Sequence, residues 1–552
     1  MNSKKYIWVL IFIAAFNWVS KAQDQVHLFT DRTSCVSGDT IWFNALVINQ
    51  VPDNSGNVVH VQMDNLTNGH ITRVSVVCKG NNADGYLPVP DSLSSGVYVL
   101  KAFTNPQKSE AGAIIHQRFI TVYNRFETVI NLIDIPQFKK QDFESTSEIS
   151  LETKVTEISK INLGLNLLPD FANQVKQITV IARLADPLSD ELGTGWSDIE
   201  VNMVDDAIMA VKEKNGVLIN GRIYSAGTGL PKAGATVLLS ISDTLPYLDY
   251  CIADEQGRFV FYLRNAVGTG NLVLQELTDN QQDTEIQLFQ NYISTSDLVS
   301  DEHILTNEQR TFTTDVIKAS YFDKFFNRPR GLTIDTFSLH KDFEYPFYGQ
   351  PTKSFYPELF VDLDNFTEIS REILRGVQYR TRKDEITIRM LDYGTQTIFN
   401  EEPFKLLDGI PVFDPAFFDK MGTNEIKKVD AVFYKRYFGD LTFSGVLAIY
   451  SNNPTLGWVE RMPGMSLIRY NCLQPELNWN FTSENSRYSN IPDFKKVLLR
   501  QRLVNIGTHH DFTFDISDIE GDLMVEVMVL TKENKILQSR KVIRQAEINT
   551  GK

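Results

Sequence analysis

The sequence contains few of the residues from which catalytic and metal centres are usually built. Among 552 residues there are 4 cysteines and 8 histidines. Cys35, Cys78, Cys251 and Cys472 are too widely spaced for a zinc motif. The sequence also lacks a His-Glu-x-x-His motif, a Walker loop and a Gly-x-Ser-x-Gly elbow. We therefore expect no catalytic, cofactor or metal site and predict that the protein is not an enzyme.

Basic runs and long apolar segments are also scarce. Lys and Arg total 54 against 69 Asp and Glu, so the formal net charge is -15 and phosphate-driven nucleic-acid binding is not expected. No apolar stretch after Trp18 is long enough to span a bilayer as a helix. The length exceeds the roughly 250–300 residues at which a single hydrophobic core stops growing, so we expect several domains.

The N-terminus has the pattern of a secretory signal peptide. Lys4 and Lys5 precede an apolar stretch that ends at Trp18, and Ala22 completes a small-x-small cleavage site. A membrane anchor is the alternative, but the stretch is short for the roughly 20 residues that a span requires. We predict a signal peptide over residues 1–22 and an exported mature chain.

Export would allow the cysteines to be oxidised. Cys35 and Cys78 fall in one predicted domain, so they are candidates for a disulfide. Buried thiols are the other interpretation, and the sequence leaves both open.

Short alternating segments separated by Gly, Asn, Asp and Pro predict strands through the first hundred residues. They are Val26 to Thr30, Thr40 to Ile48, Val58 to Asn65, Thr72 to Val77 and Gly96 to Thr104. This density of short strands is typical of a β-sandwich, with Trp42 and Phe43 in a strand that faces a core.

Residues 23–123 resemble the MG2 domain of the α2-macroglobulin family. The matching positions are Asp31, Gly38, Asp39, Thr40, Trp42, Phe43, Gly96, Tyr98, Ala102 and Thr104. The resemblance implies a macroglobulin-like β-sandwich. It does not imply covalent trapping, because the Cys-Gly-Glu-Gln thioester sequence is absent.

Two further segments alternate in the same way. Residues 124–212 predict a second macroglobulin-like sandwich, in which Ile158 to Leu168 pairs with Gln177 to Ala185. Residues 458–552 predict a C-terminal sandwich with Val525, Val527 and Val529 on one face of a strand.

Residues 213–300 resemble the carboxypeptidase regulatory-like domain, a transthyretin-like sandwich without catalytic residues. The marks are Gly229-Leu230-Pro231, Gly234-Ala235-Thr236-Val237 and a hairpin from Asp254 to Phe259, in which Gly257 suits a left-handed position. Residues 301–350 predict a linker with a helix from Glu308 to Phe326.

Residues 351–457 resemble the plug domain of SusC-like TonB-dependent receptors. The matching positions are Leu407 to Val412 and Gly445 to Ile449, and the resemblance implies a small α/β unit. Asp408-Gly409 is also a good hairpin turn. Too few residues follow Thr455 to build a receptor barrel, so we expect a plug-like domain without its pore.

Aromatic residues in the plug-like segment exceed what a small core needs. We predict that Phe413, Phe417, Phe418, Tyr434 and Tyr437 contribute to a partner-binding surface. Core filling and packing on a neighbouring domain are the alternatives.

Together these features predict a mainly β protein. We expect tandem Ig-like or macroglobulin-like and transthyretin-like sandwiches plus a small α/β plug-like domain. The combination resembles envelope proteins of Bacteroidota. It implies a non-enzymatic scaffold or accessory protein in the periplasm, at the outer membrane or on the cell surface, without a membrane span or nucleic-acid partner. The expected partner is an outer-membrane barrel or another envelope complex, such as a SusC-like transporter or a secretion machine. A protease-binding, thioester-free inhibitor and a substrate-capture component of TonB-dependent uptake are the alternatives.

Overall fold

The computed structural model divides the chain into two compact units. Unit 1 comprises Met1–Asn215, Tyr292–Thr333 and Leu473–Lys552, and unit 2 comprises Gly216–Asn291 and Ile334–Cys472. The predicted signal peptide lies outside the described residues. The structure describes residues 25–48, 57–67, 69–108, 113–127, 129–138, 144–157, 160–193, 197–200, 213–242, 246–278, 280–289, 292–293, 297–326, 338–339, 345–382, 385–483 and 493–550.

Strands dominate both units, as the sequence predicts. The first strands are β1 Gln25–Thr30, β2 Ser34–Val36, β3 Thr40–Ile48, β4 Val58–Asp64, β5 His70–Val77, β6 Asn82–Pro88, β7 Gly96–Thr104, β8 Ile114–Tyr123, β9 Leu132–Pro136, β10 Glu144–Ser145, β11 Ile149–Glu157, β12 Lys160–Leu167, β13 Val175–Leu184 and β14 Ser197–Glu200. The next are β15 Gly216–Ser225, β16 Thr236–Ile241, β17 Tyr247–Ile252, β18 Arg258–Arg264, β19 Ala266–Val267, β20 Thr269–Glu276, β21 Thr284–Leu288, β22 Ser300–Ile304, β23 Ser338–Leu339 and β24 Lys353–Phe355. The last are β25 Val377–Arg382, β26 Glu385–Asp392, β27 Thr397–Ile398, β28 Phe404–Leu407, β29 Ile410–Pro411, β30 Ile426–Val432, β31 Arg436–Phe438, β32 Leu441–Phe443, β33 Val446–Ser451, β34 Met465–Asn471, β35 Phe481–Thr482, β36 Val497–Leu503, β37 His509–Asp515, β38 Leu523–Thr531 and β39 Ile536–Ile543. The helices are α1 Asn105–Lys108, α2 Pro169–Ala172, α3 Ser189–Gly193, α4 Asn307–Phe326, α5 Phe366–Glu372 and α6 Gln545–Thr550.

The N-terminal part of unit 1 is built from two sheets. One has the order β1-β3-β6, and the other has the order β14-β8-β7-β4-β5 with β2 parallel to β8. All five predicted strands are confirmed, and β3 and β7 have the predicted bounds. Phe43 is buried in the apolar core, whereas Trp42 is only partly buried. Neighbouring residues of a strand point to opposite faces, so Trp42 packs instead against a second cluster that contains Phe29 and Trp479.

Cys35 and Cys78 are both buried thiols in this core. The structure therefore supports the thiol interpretation of the two residues over the disulfide. Burial raises the pKa of the Cys35 thiol to about 12.

The remaining sheets of unit 1 combine strands from distant parts of the sequence. The order in one sheet is β10-β39-β38-β13-β36-β35, and in the other it is β11-β12-β37. The predicted pairing of β12 with β13 is wrong, because these strands lie in different sheets. Strands from residues 124–212 and 458–552 complete the same two sheets, so these segments are not separate sandwiches. The other predicted domain boundaries stay predictions.

The core of unit 1 confirms the predicted face of β38 and the predicted helix. Val525, Val527 and Val529 are all buried, as the alternation indicates. Helix α4 covers the predicted range and contributes Val316 and Ile317 to the same core. Within the described residues, no helix combines the length and the apolar character that crossing a bilayer requires.

Unit 2 begins with a pair of sheets that correspond to the regulatory-like segment. Their orders are β18-β15-β21 and β17-β16-β20-β34. Strand β34 falls within residues 458–552, which the sequence assigns to a C-terminal sandwich, but it pairs with β20. The predicted hairpin is present, with Gly257 at φ 71°. A Cβ on Gly257 would lie 2.6 Å from the Ile223 carbonyl oxygen, so this position requires glycine.

The plug-like segment forms a small α/β unit around the sheet β24-β30-β33-β28-β29. Strands β28 and β33 are parallel, and β30 runs antiparallel to β33. Helix α5 and the hairpin of β25 and β26 share an apolar core with this sheet. A 3-10 turn at Pro415–Phe418 follows strand β29. The predicted α/β character is confirmed, while the relation to a receptor plug stays a prediction.

Asp408 and Gly409 form the predicted turn between β28 and β29. Both have positive φ, 49° and 85° respectively, as a two-residue type I′ hairpin turn requires. The Asp408 carboxylate accepts hydrogen bonds from the Ser451 backbone N and from its Oγ, each at 2.7 Å. This carboxylate therefore ties the turn to the end of β33.

Candidate binding surfaces

The structure separates the predicted aromatic residues into buried and exposed groups. Phe418 is fully buried, with its ring 5.7 Å from that of Phe366. Its assignment to a surface is therefore wrong. The reason is local, since the Asp414 carboxylate accepts a hydrogen bond from Ala416 N at 2.9 Å and caps the 3-10 turn. Phe418 ends this turn and belongs to the apolar core.

Phe413 and Phe417 are partly buried and are used in packing. Phe417 lies 4.9 Å from the ring of Trp458. Phe413 packs against an apolar cluster that includes Phe404 together with Leu238 and Leu248 of the regulatory-like segment. Much of the aromatic excess thus packs on a neighbouring segment within unit 2, which was one of the alternatives.

Tyr434 and Tyr437 are the exposed members of the predicted set. Their exposed fractions are 48% and 68%. Tyr434 makes an edge contact with the ring of Tyr393 at 6.1 Å. These two tyrosines remain candidates for partner contacts.

A second exposed apolar region was not singled out from the sequence. It is the segment 356–361, in which Leu359, Phe360 and Val361 are 75%, 55% and 78% exposed. Its first turn is a 3-10 helix that starts at Pro357. The signal in the sequence was Pro357, because a proline in a run of apolar residues argues against a central strand.

Unit 2 also contains a polar cavity of about 900 Å³, within the range of small-molecule sites. Lys428 Nζ lies 2.8 Å from an Asp430 oxygen and 4.4 Å from the centre of the Tyr450 ring. Burial raises the pKa of Tyr450 to about 12, so its hydroxyl stays protonated at neutral pH. Asp408 also lines the cavity, but both its oxygens are used by Ser451. Lys428 and Asp408 in the cavity wall are thus already paired with other residues.

Two other polar residues, Asn365 and His509, have structural partners. Asn365 caps α5, because its side-chain oxygen accepts a hydrogen bond from Glu368 N at 3.0 Å. His509 is exposed and lies 3.0 Å from an Asp511 oxygen. No cluster of three or more metal-ligating side chains occurs within the described part of the chain.

Comparison with known proteins gives only weak matches. No protein-family model and no curated protein matches the sequence. Among solved structures, the chain is similar to trypsin-activated α2-macroglobulin from Escherichia coli, with 9% identity, a TM-score of 0.23, and coverage of 95% of this chain and 41% of that one. It is also similar to the native Escherichia coli protein at 8% identity and a TM-score of 0.24, covering 95% of this chain and 40% of that one. Methylamine-reacted α2-macroglobulin from Salmonella matches at 10% identity and a TM-score of 0.24, with coverage of 94% and 39%. The chain thus spans about two fifths of the length of these structures, and the matches assign neither a family nor a function.

Proposed function

We propose that the protein is an exported, non-enzymatic scaffold of the cell envelope that binds a protein partner through unit 2. The observation that carries this proposal is the exposed apolar segment 356–361. Full burial of a side chain such as Leu359 or Val361 is favourable by roughly 1.5–3 kcal/mol. A partner that covers the three successive exposed side chains would therefore be bound with a considerable gain in free energy.

The surroundings of the segment have the composition of a protein interface. Glu358 and Asp362 are exposed beside the apolar residues. An apolar centre with a polar, solvated rim is the usual arrangement of a binding patch. The partner surface that fits is an apolar groove with basic residues at its rim.

The cellular part of the proposal rests on the predicted signal peptide. An exported scaffold without a membrane span would work beside an outer-membrane barrel or another envelope complex. Mass spectrometry of the mature protein tests this directly, with a mature N-terminus at Gln23 as the expected result. Retention of residues 1–22 in the folded protein would contradict export by this route.

Partner binding is tested by capture from detergent-solubilised membranes with the full mature chain. Leu359→Ser combined with Val361→Ser should abolish recovery of the partner without changing the melting temperature. Leu230→Ser is the matched control, because Leu230 is 65% exposed in another loop of unit 2. Unchanged recovery with the double variant would contradict the proposal. A protease recovered in place of an envelope component would favour the inhibitor alternative.

A further inference from the structure

A second site lies in unit 1, where the β2–β3 turn approaches strands β1 and β36 and helix α4. Two acidic side chains there have close basic partners. Asp31 accepts from Arg32 Nε and Nη2, each at 3.0 Å. Asp39 accepts from Lys496 Nζ at 2.6 Å and from Ser320 Oγ at 3.3 Å. These pairs balance two negative charges with two positive charges.

Arg500 adds a third cation to this balanced group. The residue is 5% exposed, and its closest carboxylate contact is 3.7 Å, from Nη1 to Asp31. Arg32 already bonds both oxygens of Asp31. Within the described part of the chain, Nε and Nη1 of Arg500 are buried without a hydrogen-bond partner. Arg500 is therefore paired less closely with a carboxylate than Arg32 and Lys496 are.

Aromatic rings surround this guanidinium. Its Cζ atom lies 4.3 Å from the Trp42 ring, 5.3 Å from Trp479 and 5.4 Å from Phe481. Rings stabilise a cation over their faces but accept no strong hydrogen bond from its N–H groups. Burial lowers the pKa of Arg500 to about 10 even though Asp31 acts in the opposite direction. The charge is thus held in a desolvated position with incomplete compensation.

A cavity of about 340 Å³ opens beside this group, which we call the Arg500 pocket. Its cationic lining is Arg32, Lys496 and Arg500, and its aromatic lining includes Trp42 and Phe481. Asp31, Asp39 and Asp323 also line it, and Lys495 at its rim is paired with Asp493 at 2.9 Å. The volume is close to the lower end of the range for ligand sites, enough for one side-chain-sized group.

We propose that the Arg500 pocket binds a carboxylate attached to an apolar or aromatic group. A guanidinium presents its N–H donors in a planar fork that matches a carboxylate. Three aspartates line the pocket beside the three cations, so a monoanion meets less repulsion there than a phosphate dianion would. The aromatic walls suit the apolar part of the ligand. The C-terminus of a peptide and an acidic side chain beside an apolar residue are the two sources of this chemistry.

The pocket lies in unit 1 and does not depend on the proposed function of unit 2. Its test uses the mature chain and four small probes, titrated by calorimetry and by the fluorescence of the tryptophans. N-acetylphenylalanine should bind, and N-acetylphenylalaninamide should bind at least tenfold more weakly. N-acetyl-aspartyl-phenylalaninamide carries its carboxylate on a side chain and separates the two sources. Phenyl phosphate tests the preference for a monoanion.

Variants locate the binding. Arg500→Lys keeps the charge but loses the fork, so it should weaken N-acetylphenylalanine at least tenfold. Arg544→Lys is the matched control at an exposed arginine of unit 1 and should bind as the wild type does. Binding of the amide as tight as that of the acid, tighter binding of phenyl phosphate, or unchanged affinity in folded Arg500→Lys would overturn the proposal. The wild-type probes decide the question even if that variant does not fold, since no binding of either carboxylate probe overturns it as well.

Discussion

Mild acid should destabilise unit 1 because His27 is held neutral in the folded state. His27 on β1 stacks on His116 of β8, with ring centroids 4.0 Å apart and an interplanar angle of 19°. Both rings are buried. Burial, together with the nearby His116, lowers the pKa of His27 to about 3. In the unfolded chain the pKa of this imidazole returns to about 6.5.

The direction and size of the effect follow from proton linkage. Below about pH 6.5 the unfolded state binds a proton at His27 that the folded state does not bind until about pH 3. The contribution of neutral His27 to stability is therefore complete above pH 6.5 and is lost as the pH falls. Between about pH 7.5 and pH 5 the loss in the free energy of unfolding is about 2 kcal/mol.

Urea unfolding of the wild type and of His27→Phe at both pH values measures this loss. The comparison with the variant is needed because burial also lowers the pKa of His60, which titrates in the same direction. The wild type should lose about 2 kcal/mol more than His27→Phe on acidification. Equal losses in the two proteins would refute the reasoning.

Three further predictions concern single side chains. In urea melts, Trp42→Ala should lower the free energy of unfolding by about 3 kcal/mol. This value is at the low end for truncation of a large aromatic residue, because Trp42 is only partly buried. Asp408→Ala should lower the free energy of unfolding by about 2 kcal/mol in the same assay, because the backbone N and the Oγ of Ser451 lose their acceptors. A neutral effect would mean that the turn forms without these two hydrogen bonds. Under native conditions a thiol reagent should label the partly exposed Cys251 before the buried Cys35, as mass spectrometry would show. Labelling of both cysteines at the same rate would contradict the packing of β2.

Local features of the fold could be predicted from the sequence because their causes are local. Alternation with a period of two gave β3 and β7 their correct bounds. The Asp408-Gly409 pair predicted a turn, and both residues have the positive φ that the turn needs. In each case the determining interactions lie within a few residues.

Strand partners could not be predicted in the same way. Alternation identifies the face of a strand that is buried, but it carries no information about which strand lies beside it. Strand β13 pairs with β36 and β38, which come from the C-terminal part of the chain. The predicted pairing of β12 with β13 used sequence proximity, and distant strands took both places.

Exposure of aromatic residues was equally dependent on tertiary packing. The spacing on α4 places Tyr321 and Phe325 near the face of Ile317, yet both are exposed while Ile317 is buried. Phe418 and Tyr437 had the same status in the sequence but lie in the core and on the surface, respectively. Composition indicates that a segment has surplus aromatic residues, whereas the neighbouring elements decide which of them are covered.

The Arg500 pocket shows that the pairing of charged side chains also depends on tertiary packing, and it leads to a last prediction. The Thr-Asp-Arg and Gly-Asp-Thr positions were visible in the sequence, but Arg500 lies in an ordinary strand and only the fold brings it to Asp31. If Arg32 neutralises Asp31 and Arg500 is paired with it only loosely, the two arginines should differ in their importance for stability. Arg32→Met leaves a buried carboxylate without its bidentate partner and should cost about 3 kcal/mol. Arg500→Met removes a charge with incomplete compensation and loses mainly its contacts with the rings, so it should cost less than about 2 kcal/mol. Urea unfolding of both variants gives the order directly, and a larger loss for Arg500→Met would show that this arginine, and not Arg32, is the main structural partner of Asp31.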